Sequence, residues 1–125
     1  RAFLKIAEAA LEGEIFAARS QWPRAIPALM RAVELEDALE SEEPPPWAMS
    51  TRVQLASAQL LAGRAKDAER SARVDLARYP ANGWALYAHA ESLLRQGRVQ
   101  EAKRTQVQFV EAWTTADLAR PDARY

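Results

Sequence analysis

Two stretches of this chain repeat each other: GRAKDAER at residues 63–70 and GRVQEAKR at residues 97–104 share Gly, Arg, an acidic residue, Ala and Arg in matching places. The copies are spaced by 34 residues, and a fixed period of that size marks each as part of one supersecondary unit that cannot bury its apolar face alone. Such units stack on their neighbours, so the expected stability comes from successive interfaces rather than from one central core.

Ala, Leu, Glu, Arg and Gln dominate, β-branched residues are sparse and no period-two alternation persists, which leaves helix as the default state and an all-α chain as the expectation. Gln21, Trp22 and Pro23 punctuate the first helical run, and Glu43, Pro44, Pro45 and Pro46 form the strongest interruption, because proline removes a donor and pushes its predecessor out of helical geometry. Gly63 and Gly97 follow Leu-rich runs, where a helix terminus in the left-handed region favours a residue without Cβ. Asn82 is placed to cap the helix that follows Tyr79, Pro80 and Ala81. The prediction is six helices at approximately 3–20, 23–40, 46–62, 65–79, 83–96 and 99–117, paired into three hairpins.

The repeated phrase then has a mechanical meaning. Gly closes one helix, Arg and its neighbour turn the chain, and Asp67 or Glu101 puts a negative charge near the positive end of the next helix. Ala68 and Ala102 fall where the second helix lies against the first, and a methyl group there permits close backbone approach.

The 125 residues, 49% of them hydrophobic, suffice for one domain spanning 1–125 and not for two. Lys+Arg and Asp+Glu both number 17, so no uniform positive field exists to condense on phosphates, and nucleic acid is not an expected partner. Much of the acidic content sits in ELEDALESEE, residues 34–43, which reads as a solvated helix end or loop. With no Cys and only His89, neither a disulfide framework nor a metal centre is expected. No apolar run is long enough for a bilayer, and charges break the first residues, so neither a membrane span nor a signal peptide is expected and the location reads as cytoplasmic. A start at Arg rather than Met reads as a piece of a longer protein. PPPW lacks the proline spacing of a polyproline ligand and reads as a rigid spacer with Trp47 packed back on a helix. His89 shares its helix face with Leu86 and Leu93 rather than with Glu91, so it reads as pointing between helices. No phosphate loop, metal spacing or nucleophile elbow is present, so no enzyme activity and no cofactor are expected.

Taken together, these residues resemble the tetratricopeptide repeat, a helix-turn-helix unit with Gly or Ala at its eighth position, an aromatic near its eleventh and Ala at its twentieth. Gly13, Phe16, Ala25, Leu29 and Ala32 carry the likeness in the first hairpin, Leu55, Ala56, Gly63, Ala68 and Pro80 in the second, and Leu86, Ala90, Gly97 and Ala102 in the third. The departures are Glu12 and His89 in place of Leu, Gln59 in place of an aromatic, and Asp75 and Phe109 in place of Ala. Ala25 and Ala68 are 43 residues apart, so 41–46 reads as an insertion between repeats at about 6–40, 47–82 and 83–116, with a tail at 117–125. The segments DLARYPANGWALY and EEPPPWAM also resemble the closing part of longer bacterial proteins of this repeat class.

The resemblance implies an α–α superhelix of three such hairpins that binds a protein or peptide on its concave face, without catalysis. Carried over position by position, that face holds Ala7, Ala10, Glu14 and Ala17 in the first repeat. It holds Ser50, Val53, Ser57, Leu60 and Leu61 in the second, and Trp84, Tyr87, Glu91, Leu94 and Arg95 in the third. The site residues it implies for partner binding are Ser50, Val53, Ser57, Leu61, Trp84, Tyr87, Glu91, Leu94 and Arg95. Ala10, Val53 and Tyr87 stand where chaperone-binding members carry Lys, so that activity is not implied. The alternative is a structural C-terminal cap or homodimerisation segment of a longer repeat protein, in which the final residues ADLARPDARY cover Trp84 and Tyr87.

Overall fold

The computed structural model describes residues 2–40 and 50–119 and, within them, the side chains of 4–38 and 50–114. The insertion at 41–46, Trp47 and the tail from residue 120 lie outside the described residues. Six α-helices follow in order: α1 Ala2–Ala18, α2 Trp22–Glu40, α3 Thr51–Leu61, α4 Ala65–Arg78, α5 Gly83–Arg95 and α6 Val99–Ala119. They pack as consecutive antiparallel hairpins α1·α2, α3·α4 and α5·α6, and each hairpin also packs on the next through α2·α3 and α4·α5. The odd-numbered helices touch one another, α1 with α3 and α3 with α5, whereas among the described residues the even-numbered ones do not. The odd helices therefore form an inner layer and the even ones an outer layer, a helical repeat arrangement.

All three hairpins turn by the same hydrogen-bonded device. The N–H of Gly63 donates to the Leu60 carbonyl at 3.1 Å and that of Arg64 to Gln59 at 2.8 Å, and Gly97 to Leu94 at 3.0 Å and Arg98 to Leu93 at 2.9 Å repeat the pattern. The first hairpin does it with Ser20 to Ala17 at 2.9 Å and Gln21 to Phe16 at 2.9 Å. This is the Schellman arrangement, which needs a left-handed residue after the helix. Gly63 has φ 82° and Gly97 φ 78°, and Ser20 adopts φ 56° in their place. Nothing would meet a Cβ at either glycine, so the cost of a side chain there is backbone strain alone. Ser20→Gly is expected to raise stability by about 0.5–1 kcal/mol, and Gly63→Ala or Gly97→Ala to lower it by about 1 kcal/mol, in urea unfolding.

After each turn the next helix opens on the expected alanine. Ala25, Ala68 and Ala102 are all fully buried, and their N–H groups donate to the carbonyls of Gln21, Arg64 and Arg98 at 2.8, 3.0 and 3.0 Å. Gly13 shows how tight the first crossing is: a Cβ there would lie 2.6 Å from the Cγ and Cδ2 of Leu29. The buried apolar residues form a chain of clusters, one joining Ile26, Leu29 and Val33 of α2 to Leu55 and Ala58 of α3. The next joins Ala56 and Leu60 of α3, Ala68 and Ala72 of α4 and Ala88 of α5.

Two expectations are corrected. Helix α3 begins at Thr51 rather than 46, because Ser50 is extended (φ −72°, ψ 158°) and its Oγ caps the helix by accepting from the Val53 N–H. The block 34–43 is not simply a solvated helix end, for Glu36 is 3% exposed and its carboxylate accepts from the N–H of Thr51 at 3.0 Å and from the Thr51 hydroxyl. Asp37 takes a two-pronged contact from Arg52 at 2.7 and 2.7 Å and a third bond from Arg78 at 2.9 Å. The hydrogen bond from Arg52, then the Arg52 and Arg78 charges, hold its carboxyl below the usual range against the opposing effect of burial. These two carboxylates fasten α2 to the start of α3, where the helix dipole favours negative charge.

Candidate functional site, the inner helical face

The inner layer brings together most of the nine site residues. Ser57, Leu61, Tyr87, Leu94 and Arg95 are exposed on α3 and α5, with Leu61 at 66%, Tyr87 at 51% and Leu94 at 43%. Trp84 and Glu91 are half-buried beside them. Ser50 and Val53 are buried and offer no surface: Ser50 serves as the helix cap, its Oγ accepting from the Val53 N–H.

Trp84 is held by α6. Its ring meets that of Trp113 edge-on at 5.3 Å and 88°, Trp113 meets Phe109 at 6.1 Å and 67°, and Phe109 leans on Tyr87 at 5.9 Å and 52°. The four rings form a continuous series, with the two contacts of Trp113 in the edge-to-face geometry that aromatic quadrupoles favour and the Tyr87–Phe109 pair tilted. Gly83 makes room for it, since a Cβ there would lie 2.6 Å from Trp113 Nε1. Tyr87 ends the series with half its surface open. Phe109 and Trp113, four residues apart on one helix face, are the signal in the sequence that these rings had partners. The side chains of 115–125, which include the whole of the expected covering segment, lie outside the described residues.

Beyond the aromatics, Glu91 and Arg95 pair at 3.6 Å, and Arg95 Nη1 also donates to the Leu60 carbonyl at 2.7 Å. That bond pins the end of α5 to the end of α3 and fixes the guanidinium at the rim. The exposed inner-layer side chains are thus Ser57 and Leu61 of α3 and Tyr87, Leu94 and Arg95 of α5, with Arg95 tied both to Glu91 and to the end of α3.

The outer side is built differently. A groove of about 700 Å³ between α4 and the α5–α6 turn is lined by Lys66, Glu69, Arg70, Arg73, Gln96 and Arg98, among others. Glu69 at its base accepts from Gln96 at 3.0 Å and Arg98 at 2.9 Å and pairs with Arg73 at 3.6 Å. Burial pushes its carboxyl up, but the bonds from Gln96 and Arg98 outweigh burial and the net shift is downward.

His89 is half-buried, as its helix face implied. Burial pushes the imidazole below its usual range, with the Glu69 charge opposing and Arg73 and Arg98 reinforcing. A histidine lowered in the fold binds its proton less readily than in the unfolded chain, so acid favours unfolding. Stability is expected to fall as pH drops below about 6.5, and His89→Gln to flatten that part of the profile in urea titrations across about pH 7 to 5.5. The lowered Asp37 and Glu69 act in the same direction further down: the stability they contribute is present above their ordinary values of 3.8 and 4.5 and is lost as pH falls through the lowered ones.

Among the described residues no helix is long and apolar enough to cross a membrane. No family model matches the chain, and neither a curated protein nor a solved structure gives a match.

Proposed function

We propose that this chain is an interaction module of the tetratricopeptide type, which holds a protein or peptide segment against the inner face of α3 and α5 and performs no chemistry. The observation that carries this reading is the exposure of Leu61, Tyr87 and Leu94 together on the inner layer, beside the Glu91–Arg95 pair. Half-exposed aromatics next to an oriented Arg are the composition that binding hot spots favour. The equal spacing of Ala68 and Ala102 behind Gly63 and Gly97, and the shared turn geometry, support the tetratricopeptide assignment.

Partner capture tests it. A photo-crosslinking side chain placed at Ser57, which is exposed and central, is expected to attach to a discrete partner. Tyr87→Ala and Leu94→Ala are expected to weaken capture by about 10-fold each, as loss of a 1–2 kcal/mol contact requires. Far-UV circular dichroism checks that both variants keep the fold, since Tyr87 also meets Phe109 of α6. Unchanged capture by the double variant would refute the inner face as the binding surface. Trp84 is left out of the test because its ring also holds α6 in place.

A further inference from the structure

One face of α4 is left open by the rest of the fold. Lys66, Arg70, Arg73, Val74 and Ala77 follow one another at intervals of four, three, one and three residues, which places them on one side of the helix. All five are exposed and all five line the outer groove, together with Gln96 and Arg98 of the α5–α6 turn. The outer layer is open here, since among the described residues α4 and α6 do not touch.

The groove is unevenly charged, with Lys66, Arg70, Arg73 and Arg98 set against Glu69. Glu69 is buried and its carboxylate is already occupied by Gln96 and Arg98, and Arg98 is also paired with Glu101 at 2.6 Å. The cations of α4 are held far less firmly. Arg70 meets Asp67 at 3.2 Å with 74% of its side chain open, Arg73 meets Glu69 at 3.6 Å with 66% open, and Lys66 is exposed. Exposed pairs within one helix contribute little and exchange readily for a better-placed anion. At the end of the same helix, by contrast, Arg78 is served across the outer layer by Asp37 of α2 at 2.9 Å. Among the described residues Arg70 and Arg73 receive no such carboxylate from α6, whose first-turn Glu101 is taken by Arg98.

The shape of this row selects its occupant. Lys66 and Arg73 stand about 10 Å apart along the helix axis, a span that suits a chain bearing several anions rather than one compact anion. Val74 and Ala77 continue the row with apolar surface, so the occupant carries an apolar side chain next to its charges. Nucleic acid would bring bases that stack on aromatic rings, and none of the groove's lining residues is aromatic. An acidic peptide meets all three conditions.

We infer that the outer groove docks an acidic peptide segment of a partner protein, its carboxylates on Lys66, Arg70 and Arg73 and an apolar side chain over Val74 and Ala77. None of the residues proposed for the inner face takes part, so the two surfaces stand or fall separately.

Fluorescence anisotropy of a labelled peptide of repeated Glu-Glu-Leu units, titrated with the full chain at low salt up to millimolar concentration, is expected to show saturable binding that weakens as salt is added. Lys66→Glu and Arg70→Glu change exposed side chains, and each is expected to weaken binding about 10-fold. Arg31→Glu, at an exposed position of α2 outside the groove, makes the same change in net charge and is expected to leave binding as it is. The double variant of Tyr87→Ala and Leu94→Ala on the inner face is expected to do the same. A peptide with Ser in place of Leu is expected to bind about 5-fold more weakly, having lost its contact with Val74. Circular dichroism checks the fold of each variant. The proposal is overturned if the Glu-Glu-Leu peptide does not bind, if the two peptides bind equally, if Arg31→Glu weakens binding as much as Arg70→Glu does, or if the inner-face variant abolishes it. Tighter binding of a labelled oligothymidylate would overturn it in favour of nucleic acid, and displacement of the peptide by inorganic phosphate at matched ionic strength in favour of a compact anion.

Discussion

Replacing Asp75 by Ala is expected to cost about 3 kcal/mol or more in urea unfolding. The reason is that one carboxylate serves two helix starts. Asp75 is 2% exposed; its Oδ1 accepts from the Ser50 hydroxyl at 2.6 Å and its Oδ2 from the Asn82 side-chain amide at 2.9 Å. Ser50 in turn accepts from the Val53 N–H at 3.2 Å, and Asn82 from the Trp84 N–H at 3.0 Å. Asp75 thereby orients the caps of both α3 and α5, and each cap alone is worth about 1 kcal/mol. Its removal also leaves the buried Ser50 hydroxyl and the part-buried Asn82 amide without their acceptor, at about 1–3 kcal/mol for a fully buried donor if unrelieved. Asp75→Asn keeps one acceptor but turns an amide toward the other donor, so a loss of roughly half is expected. A double-mutant cycle between Ser50→Ala and Asp75→Ala is the decisive measurement: additive losses would show that the cap and the carboxylate act independently.

Leu29→Ala is expected to lose about 2–5 kcal/mol, since the side chain is fully buried at the centre of the first two hairpins and its loss leaves a cavity. Gly13→Ala in the otherwise unaltered chain is expected to lose about 1–3 kcal/mol by overpacking, against the gain of about 1 kcal/mol that alanine brings to an ordinary helix interior. The new methyl group would stand 2.6 Å from Leu29, which is itself fully buried. The two changes should therefore offset each other. On the Leu29→Ala background, Gly13→Ala fills part of the vacated space and is expected to cost nothing or to stabilise. Equal penalties on both backgrounds would show that Gly13 is required for some reason other than contact with Leu29.

Much of the architecture was legible from residues that act locally. Gly63 and Gly97 announced their left-handed conformation, Asn82 its cap, and Ala68 and Ala102 their burial, because each answers to backbone geometry within a few positions. Ser20 carried no such mark. It adopts φ 56° because the first hairpin is held in the shared turn by the packing of α1 on α2, which overrides the preference of its side chain. The departures from the repeat pattern were visible but not their purpose. Gln59 accepts from the Ser71 hydroxyl at 2.8 Å, Asp75 joins two caps, and Phe109 bridges Tyr87 to Trp113. In each case a polar or bulky residue replaces a repeat residue where a partner on another helix compensates for it.

The inner face shows the same division. Helical spacing marked Ser57, Leu61, Tyr87, Leu94 and Arg95, which are exposed, but Ser50 and Val53 are buried, Ser50 with its hydroxyl claimed by residue 75, a helix away. The sequence by itself determined six helices, their pairing and the repeated turn, since propensity, breakers and a 34-residue period are properties of neighbouring residues. Only the tertiary structure decided which side chains reach water, because burial depends on what other helices bring to the same place, and a carboxylate or ring is fixed by partners that no local pattern encodes.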